Sequence, residues 1–157
     1  MTHPSRVLHL IAHNIRSAEN IGSLFRTCDS LGVTKLWITG YSPTPDHPRV
    51  EKTALGAERT VDWEQATDVE DIIRKLKADG FRVVGLELDR RSVDLLSYEA
   101  PGHVALLLGN EVDGISPSLL DLCDDVVSIR QQGKKESLNV SVAAAIASFW
   151  MLNWRSS

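Results

Sequence analysis

Val104-Ala105-Leu106-Leu107-Leu108-Gly109-Asn110-Glu111-Val112-Asp113-Gly114-Ile115 is the stretch that decides the fold class. Five apolar residues in a row, with no alternation, are typical of a parallel strand buried on both faces. The run ends directly in a turn bounded by Gly109 and Gly114 that carries two acids. Phe81 to Leu86 is a second run of the same kind. Shorter strands are expected at Val7 to Ala12, Leu36 to Thr39, Thr60 to Trp63 and Val126 to Ile129.

Helical signals fall between these strands. Ile21, Leu24, Phe25, Cys28 and Leu31 recur at three- and four-residue steps, and Gly32 follows them. Val50 to Leu55 is expected to form a short helix. Asp68 to Asp79 places Val69, Ile72, Ile73 and Leu76 on one face. Ser116-Pro117 starts a further helix, with a capping hydroxyl followed by proline at the first helical position. A long and largely buried helix is expected from about Leu138 to Trp154. Regular alternation of strand and helix implies an α/β domain with a mostly parallel sheet flanked by helices. Ligands of such sheets sit beyond the carboxyl ends of the strands. That rule selects the loops after Ala12, Leu86, Leu108 and Ile129.

The 157 residues fit a single domain over 1–157, with no room for a second, separate one. The polar start, His3-Pro4-Ser5-Arg6, lacks the apolar core of a signal peptide. The longest apolar run, Val140 to Leu152, is too short to span a membrane. A cytoplasmic protein is therefore expected. Cys28 and Cys123 read as small buried hydrophobes. Five scattered histidines form no ligand spacing, so no metal is expected. A net charge of -4 argues against nucleic-acid binding by global charge, leaving only a local basic patch.

Three constellations occupy the selected loops. The first runs from Asn14 to Cys28, with Asn20, Gly22 and Arg26. Gly22 stands one turn before Arg26, which leaves room for something to approach the helix, and a guanidinium suits a phosphate. The second is Gly109 to Gly114. The third is Ile129 to Ser141, a basic loop running into Ser137-Leu138-Asn139-Val140-Ser141. There Ser137 is expected to cap the last helix, with Asn139 inside its first turn. Each alone has an ordinary reading: a surface arginine, a tight turn, a capped helix.

Together, and in this order, they resemble the SpoU family of RNA 2'-O-methyltransferases, within the SPOUT class. The resemblance rests on Asn20-Ile21-Gly22 with Arg26, on Gly109-Asn110-Glu111 with Gly114, and on Ser137 to Ser141. Lys52-Thr53-Ala54-Leu55-Gly56-Ala57-Glu58 is also similar to a family segment. It implies a C-terminal trefoil knot, an exception to the rule against knotted chains. It also implies an S-adenosyl-L-methionine pocket made by the loops after Leu86, Leu108 and Ile129. The cofactor candidates are Leu86, Glu87, Gly109, Asn110, Ile129, Ser137 and Leu138. The catalytic candidates are Arg26, Asn20, Glu111, Ser137 and Asn139.

The implied reaction is attack of a ribose 2'-hydroxyl of RNA on a sulfonium methyl group, which needs in-line positioning and no metal. Arginine holds its proton too tightly for a good base. Arg26 is therefore read as a clamp on the neighbouring phosphate. Arg16, Arg26, Arg130, Lys134 and Lys135 are the RNA-binding candidates, with Arg6 as a further member of the patch. Where many family members have Ile-Pro-Met, this chain has Ile129-Arg130-Gln131, which adds charge to that loop. The resemblance further implies a homodimer, for which Phe149, Trp150 and Trp154 would supply apolar surface. tRNA is the first expected substrate and rRNA the second. A knotted RNA-binding dimer without catalysis would not need Asn20, Arg26, Glu111 and Asn139. A doubly wound nucleotide-binding enzyme would need GxGxxG or a P-loop, and this chain has neither.

Overall fold

The computed structural model describes residues 5–134 and 137–156. Among these residues seven strands form one sheet: β1 (Val7–His13), β2 (Lys35–Thr39), β3 (Trp63–Ala66), β4 (Arg82–Leu86), β5 (Val93–Asp94), β6 (His103–Leu108) and β7 (Asp125–Ser128). Their order is β3-β2-β1-β6-β4-β7-β5. Every pairing is parallel, with Leu10 beside Leu36 and Leu106, and Val84 beside Leu106.

Helices cover both faces, which is why the central strands are apolar on both sides. Successive side chains of β1 point to opposite layers. Leu8, Leu10 and Ala12 join the core under α1 (Ala18–Leu31), α2 (Pro48–Ala54) and α5 (Val140–Asn153). Ile11 joins Trp37, Val83, Ala105 and Leu107 under α3 (Val69–Ala78) and α4 (Pro117–Leu120). Ser17 caps α1 by accepting from the Asn20 N–H, and Gly32 closes it in the left-handed region at φ 78°. Cys28 is buried and Cys123 half-buried. Burial pushes their thiols up to about 12 and about 11.

Three expectations need correction, and one strand was not expected. β3 begins at Trp63, three residues later than the apolar pattern suggests. Thr60 and Val61 instead close a 3-10 turn (Ala57–Arg59) by donating to the Ala57 carbonyl, and Val61 packs into the core. The two-residue edge strand β5 was too short to leave a pattern. The cap of α5 is Asn139, not Ser137: its Oδ1 accepts from the N–H groups of Ser141 (2.9 Å) and Val142 (3.4 Å). Finally, α5 is not largely buried. Ala144, Ala147, Ser148 and Met151 face the core, but Val142, Ile146 and Phe149 remain 47%, 43% and 59% exposed. Among the described residues no helix is long and apolar enough to cross a membrane.

Candidate active site

The carboxyl ends of β4, β6 and β7 open into a cavity of about 650 Å³. Its walls are the loops after those strands, the start of α1 and the start of α5. All seven cofactor candidates line it: Leu86, Glu87, Gly109, Asn110, Ile129, Ser137 and Leu138. Of the catalytic candidates, Asn20, Glu111, Ser137 and Asn139 line it too.

The loop after β6 folds back on itself, so that Asn110 and Gly114 pair as an antiparallel bridge. Gly109 is required by this closure. A β-carbon there would lie 2.5 Å from the Gly114 carbonyl carbon and 2.7 Å from Ile115. Gly114 has φ +69°, and a side chain on it would run into the Glu87 carboxylate. That carboxylate accepts from the N–H groups of Leu88 (3.0 Å) and Ile115 (2.9 Å), tying the loop after β4 to the loop after β6. The Asn110 side chain is wholly engaged. Its oxygen accepts from the Val112 and Asp113 N–H groups, and its nitrogen donates to the Asn14 carbonyl and the Tyr41 hydroxyl. Asn110 thus leaves only backbone for a ligand.

Glu111 turns the other way, toward α1. Its Oε1 accepts from the Arg16 N–H at 2.8 Å, and its Oε2 from the Ser17 N–H at 2.9 Å and the Asn20 Nδ2 at 3.0 Å. Partial burial works to raise its pKa. The Arg16 and Ser17 N–H groups and the Asn20 amide outweigh that effect and hold the carboxyl below its ordinary value. Asn20 then accepts through Oδ1 from the Asn139 Nδ2 at 3.1 Å. Asn139 in turn caps α5. One hydrogen-bond chain, Glu111–Asn20–Asn139, therefore joins the three sequence motifs at the cavity wall. Three donors thus hold the Glu111 carboxylate against the start of α1.

Arg26 stands apart. It lies about 120° round α1 from Asn20 and about 9 Å further along; it is exposed and does not line the cavity. Gly22 does not open the helix to a ligand either. What approaches it is α2: a β-carbon on Gly22 would meet Thr53 Cβ at 2.5 Å and the Val50 carbonyl at 2.9 Å. Arg16, Arg130 and Lys134 are exposed and outside the cavity wall, and Lys135 lies outside the described residues. Arg6 leaves the patch. It sits beyond the opposite, amino end of β1, donates to the carbonyls of Ala100 and Pro101, and packs over Trp154. Trp150 is also turned inward, donating to the Tyr98 carbonyl at 2.9 Å.

Sequence reasoning missed Ser17, Gln131 and Ala143 on the cavity wall, and Asn14 and Tyr41 beside it, where both accept from the Asn110 amide. Asn14 at φ 54° carries no pattern of its own, although a polar residue closing a strand in this fold is a weak signal.

Known proteins are similar to this chain in sequence and in fold. The 23S rRNA (guanosine-2'-O-)-methyltransferase RlmB of Acinetobacter baylyi is 31% identical over 143 residues, covering 90% of this chain and 58% of that protein. The tRNA (guanosine(18)-2'-O)-methyltransferase of Thermus thermophilus is 32% identical over 142 residues, covering 90% of this chain and 72% of that one. The AdoMet-bound rRNA methyltransferase from Sinorhizobium meliloti superposes with a TM-score of 0.86 at 28% identity, covering 94% of this chain and 57% of that one. The chain thus spans little more than half the length of the first of these relatives. Residues 7–149 match the model of one family. That segment runs from β1 into α5, through all three motifs and every wall of the cavity, and by it the chain belongs to the SpoU rRNA Methylase family.

Proposed function

We propose that the cavity binds S-adenosylmethionine and that the domain methylates a ribose 2'-hydroxyl of RNA. The observation that carries this reading is the Glu111–Asn20–Asn139 chain, which brings the three motifs to one wall of one cavity. The residues fit the cofactor. Gly109 leaves bare backbone at the wall, suited to an adenine edge, and Leu86, Ile129 and Leu138 offer apolar surface for its ring. When bound, the cofactor supplies an electrophilic methyl group on sulfur. Glu111 and Asn20 hold the start of α1 against the loop after β6, which fixes the mouth of the cavity. The relatives named above are enzymes of rRNA and of tRNA. We take tRNA first, as a compact folded target that a small set of exposed cations can grip.

In this proposal the working form is a homodimer. α5 has no charged residue, yet its Val142, Ile146 and Phe149 stripe is open to solvent, and a helix apolar all round is expected to be covered. Arg26 is remote from the cavity of its own chain. A partner's Arg26 is therefore assigned to each cavity, where it clamps the phosphate beside the target ribose and stabilises the developing alkoxide. A threaded C-terminal segment belongs to the same proposal. It agrees with the placing of β7, late in the chain, between β4 and β5.

The test is methyl transfer from labelled S-adenosylmethionine to purified tRNA and rRNA. Alkali-resistant dinucleotides then locate the label on ribose. The proposal expects label in one RNA class at a 2'-oxygen. Label only on bases, or none in either class, overturns it.

A further inference from the structure

We propose that the Tyr41 ring is a stacking platform for an unpaired base of the RNA substrate, held at the mouth of the cavity. The inference rests on the RNA reading given above. Tyr41 is 59% exposed, so a face of its ring is open to solvent. The ring is nonetheless fixed. Its hydroxyl accepts from the Asn110 Nδ2 at 2.6 Å, and its backbone N–H donates to the Asn14 Oδ1 at 3.1 Å.

The backbone on either side of Tyr41 is committed to this pose. Asn14 is held in the left-handed region at φ 54°, and Gly40, at φ +64°, passes so close that any side chain there would overlap the Asn14 amide. Asparagine tolerates that region better than most side chains, and here its amide oxygen is spent on the Tyr41 N–H. On the other side, Ser42 is buried; its hydroxyl accepts from the Ile15 N–H at 2.8 Å and donates to the Ala12 carbonyl at 3.2 Å. A locked turn thus presents the exposed ring.

Its location points to the ligand. Asn110, which holds the ring, and Glu111, which holds the Arg16 N–H, are adjacent residues of the loop that walls the cavity. An open aromatic ring and the exposed residue Arg16 are therefore both tied to this one loop. Ring stacking with a cation beside it is how proteins hold unpaired bases, and any base offers a π-face to it. Position 41 then orients the nucleotide next to the reacting ribose, while the cofactor end of the cavity is untouched.

The test compares Tyr41→Ala and Tyr41→Trp with the wild type. It measures RNA affinity by filter binding, methyl-transfer kinetics, S-adenosylhomocysteine affinity and sedimentation. Tyr41→Ala is expected to weaken RNA affinity and raise the RNA KM by about fivefold or more, with S-adenosylhomocysteine affinity and oligomeric state unchanged. Tyr41→Trp is expected to keep RNA affinity, and its fluorescence to be quenched by RNA. Unchanged RNA affinity in Tyr41→Ala overturns the platform, as does an altered oligomeric state with RNA affinity intact. If the wild type transfers no methyl group yet binds RNA through Tyr41, the platform stands and the methyl-transfer reading fails. If the wild type binds no RNA, both fail.

Discussion

The Glu111 carboxylate and the Asn20 amide meet at 3.0 Å across 91 positions of chain, and the same Asn20 accepts from Asn139, 119 positions away from it. This is the joint by which the loop after β6, the start of α1 and the start of α5 are held in one geometry. The Glu111 end also satisfies two backbone donors, the N–H groups of Arg16 and Ser17.

Glu111→Gln keeps the shape but sets an NH2 group against those donors. It is expected to cost about 1–3 kcal/mol at neutral pH, read by urea denaturation. The folded-state pKa of Glu111 lies below the ordinary 4.5, so its contribution is complete above that value and is lost as pH falls through the lowered one. The stability gap between wild type and Glu111→Gln is therefore expected to close on acidification. A gap that stays constant down to the acid transition contradicts the assignment.

Two residues of the third motif are separated by the same method. Asn139 caps α5 and holds Asn20, so Asn139→Ala is expected to lose about 1–2 kcal/mol. Ser137 lies outside the helix, and Ser137→Ala is expected to stay within about 0.5 kcal/mol of wild type. Equal losses, or the reverse order, would restore Ser137 as the cap.

Gly22 gives a packing prediction. A methyl group there has no space against Thr53 and the Val50 carbonyl, so α1 and α2 must part. Gly22→Ala is expected to destabilise by about 1–3 kcal/mol, although alanine favours helix. A neutral or stabilising result in thermal denaturation would mean that the two helices do not touch at Gly22.

These particular residues also mark what the sequence could and could not say. The parallel sheet was legible because strands buried on both faces write their burial into unbroken runs such as Val104 to Leu108. The cavity was legible because glycines and polar residues cluster after those runs, and all seven cofactor candidates fall on its wall. The Asn20–Glu111 contact leaves no periodicity, so its partners were visible but not their joining. Ser137 and Asn139 are both good caps by chemistry, and only the backbone decides between them. Gly22 looked like an opening because one chain segment cannot show that α2 fills the gap. Tyr41 was passed over since its weight comes from Asn14 and Asn110, distant in sequence.

Arg26 allows a test of whether two chains share a site. Arg26→Ala and Gly109→Ala are each expected to lose about 100-fold or more of methyl transfer, Arg26→Ala with cofactor affinity intact. Mixed and allowed to exchange subunits, they are expected to regain about a quarter of wild-type activity, since half the dimers then hold one complete site. No recovery, with hybrid dimers demonstrated by mass spectrometry, would place Arg26 in its own chain's site.

Calorimetric titration with S-adenosylhomocysteine tests the assignment of the cavity most directly. The account expects one site per chain in the wild type, the same affinity in Arg26→Ala, and at least about tenfold weaker binding in Gly109→Ala, whose added methyl group has no room beside Gly114. No binding by the wild type, or undiminished binding by a folded Gly109→Ala protein, would contradict it.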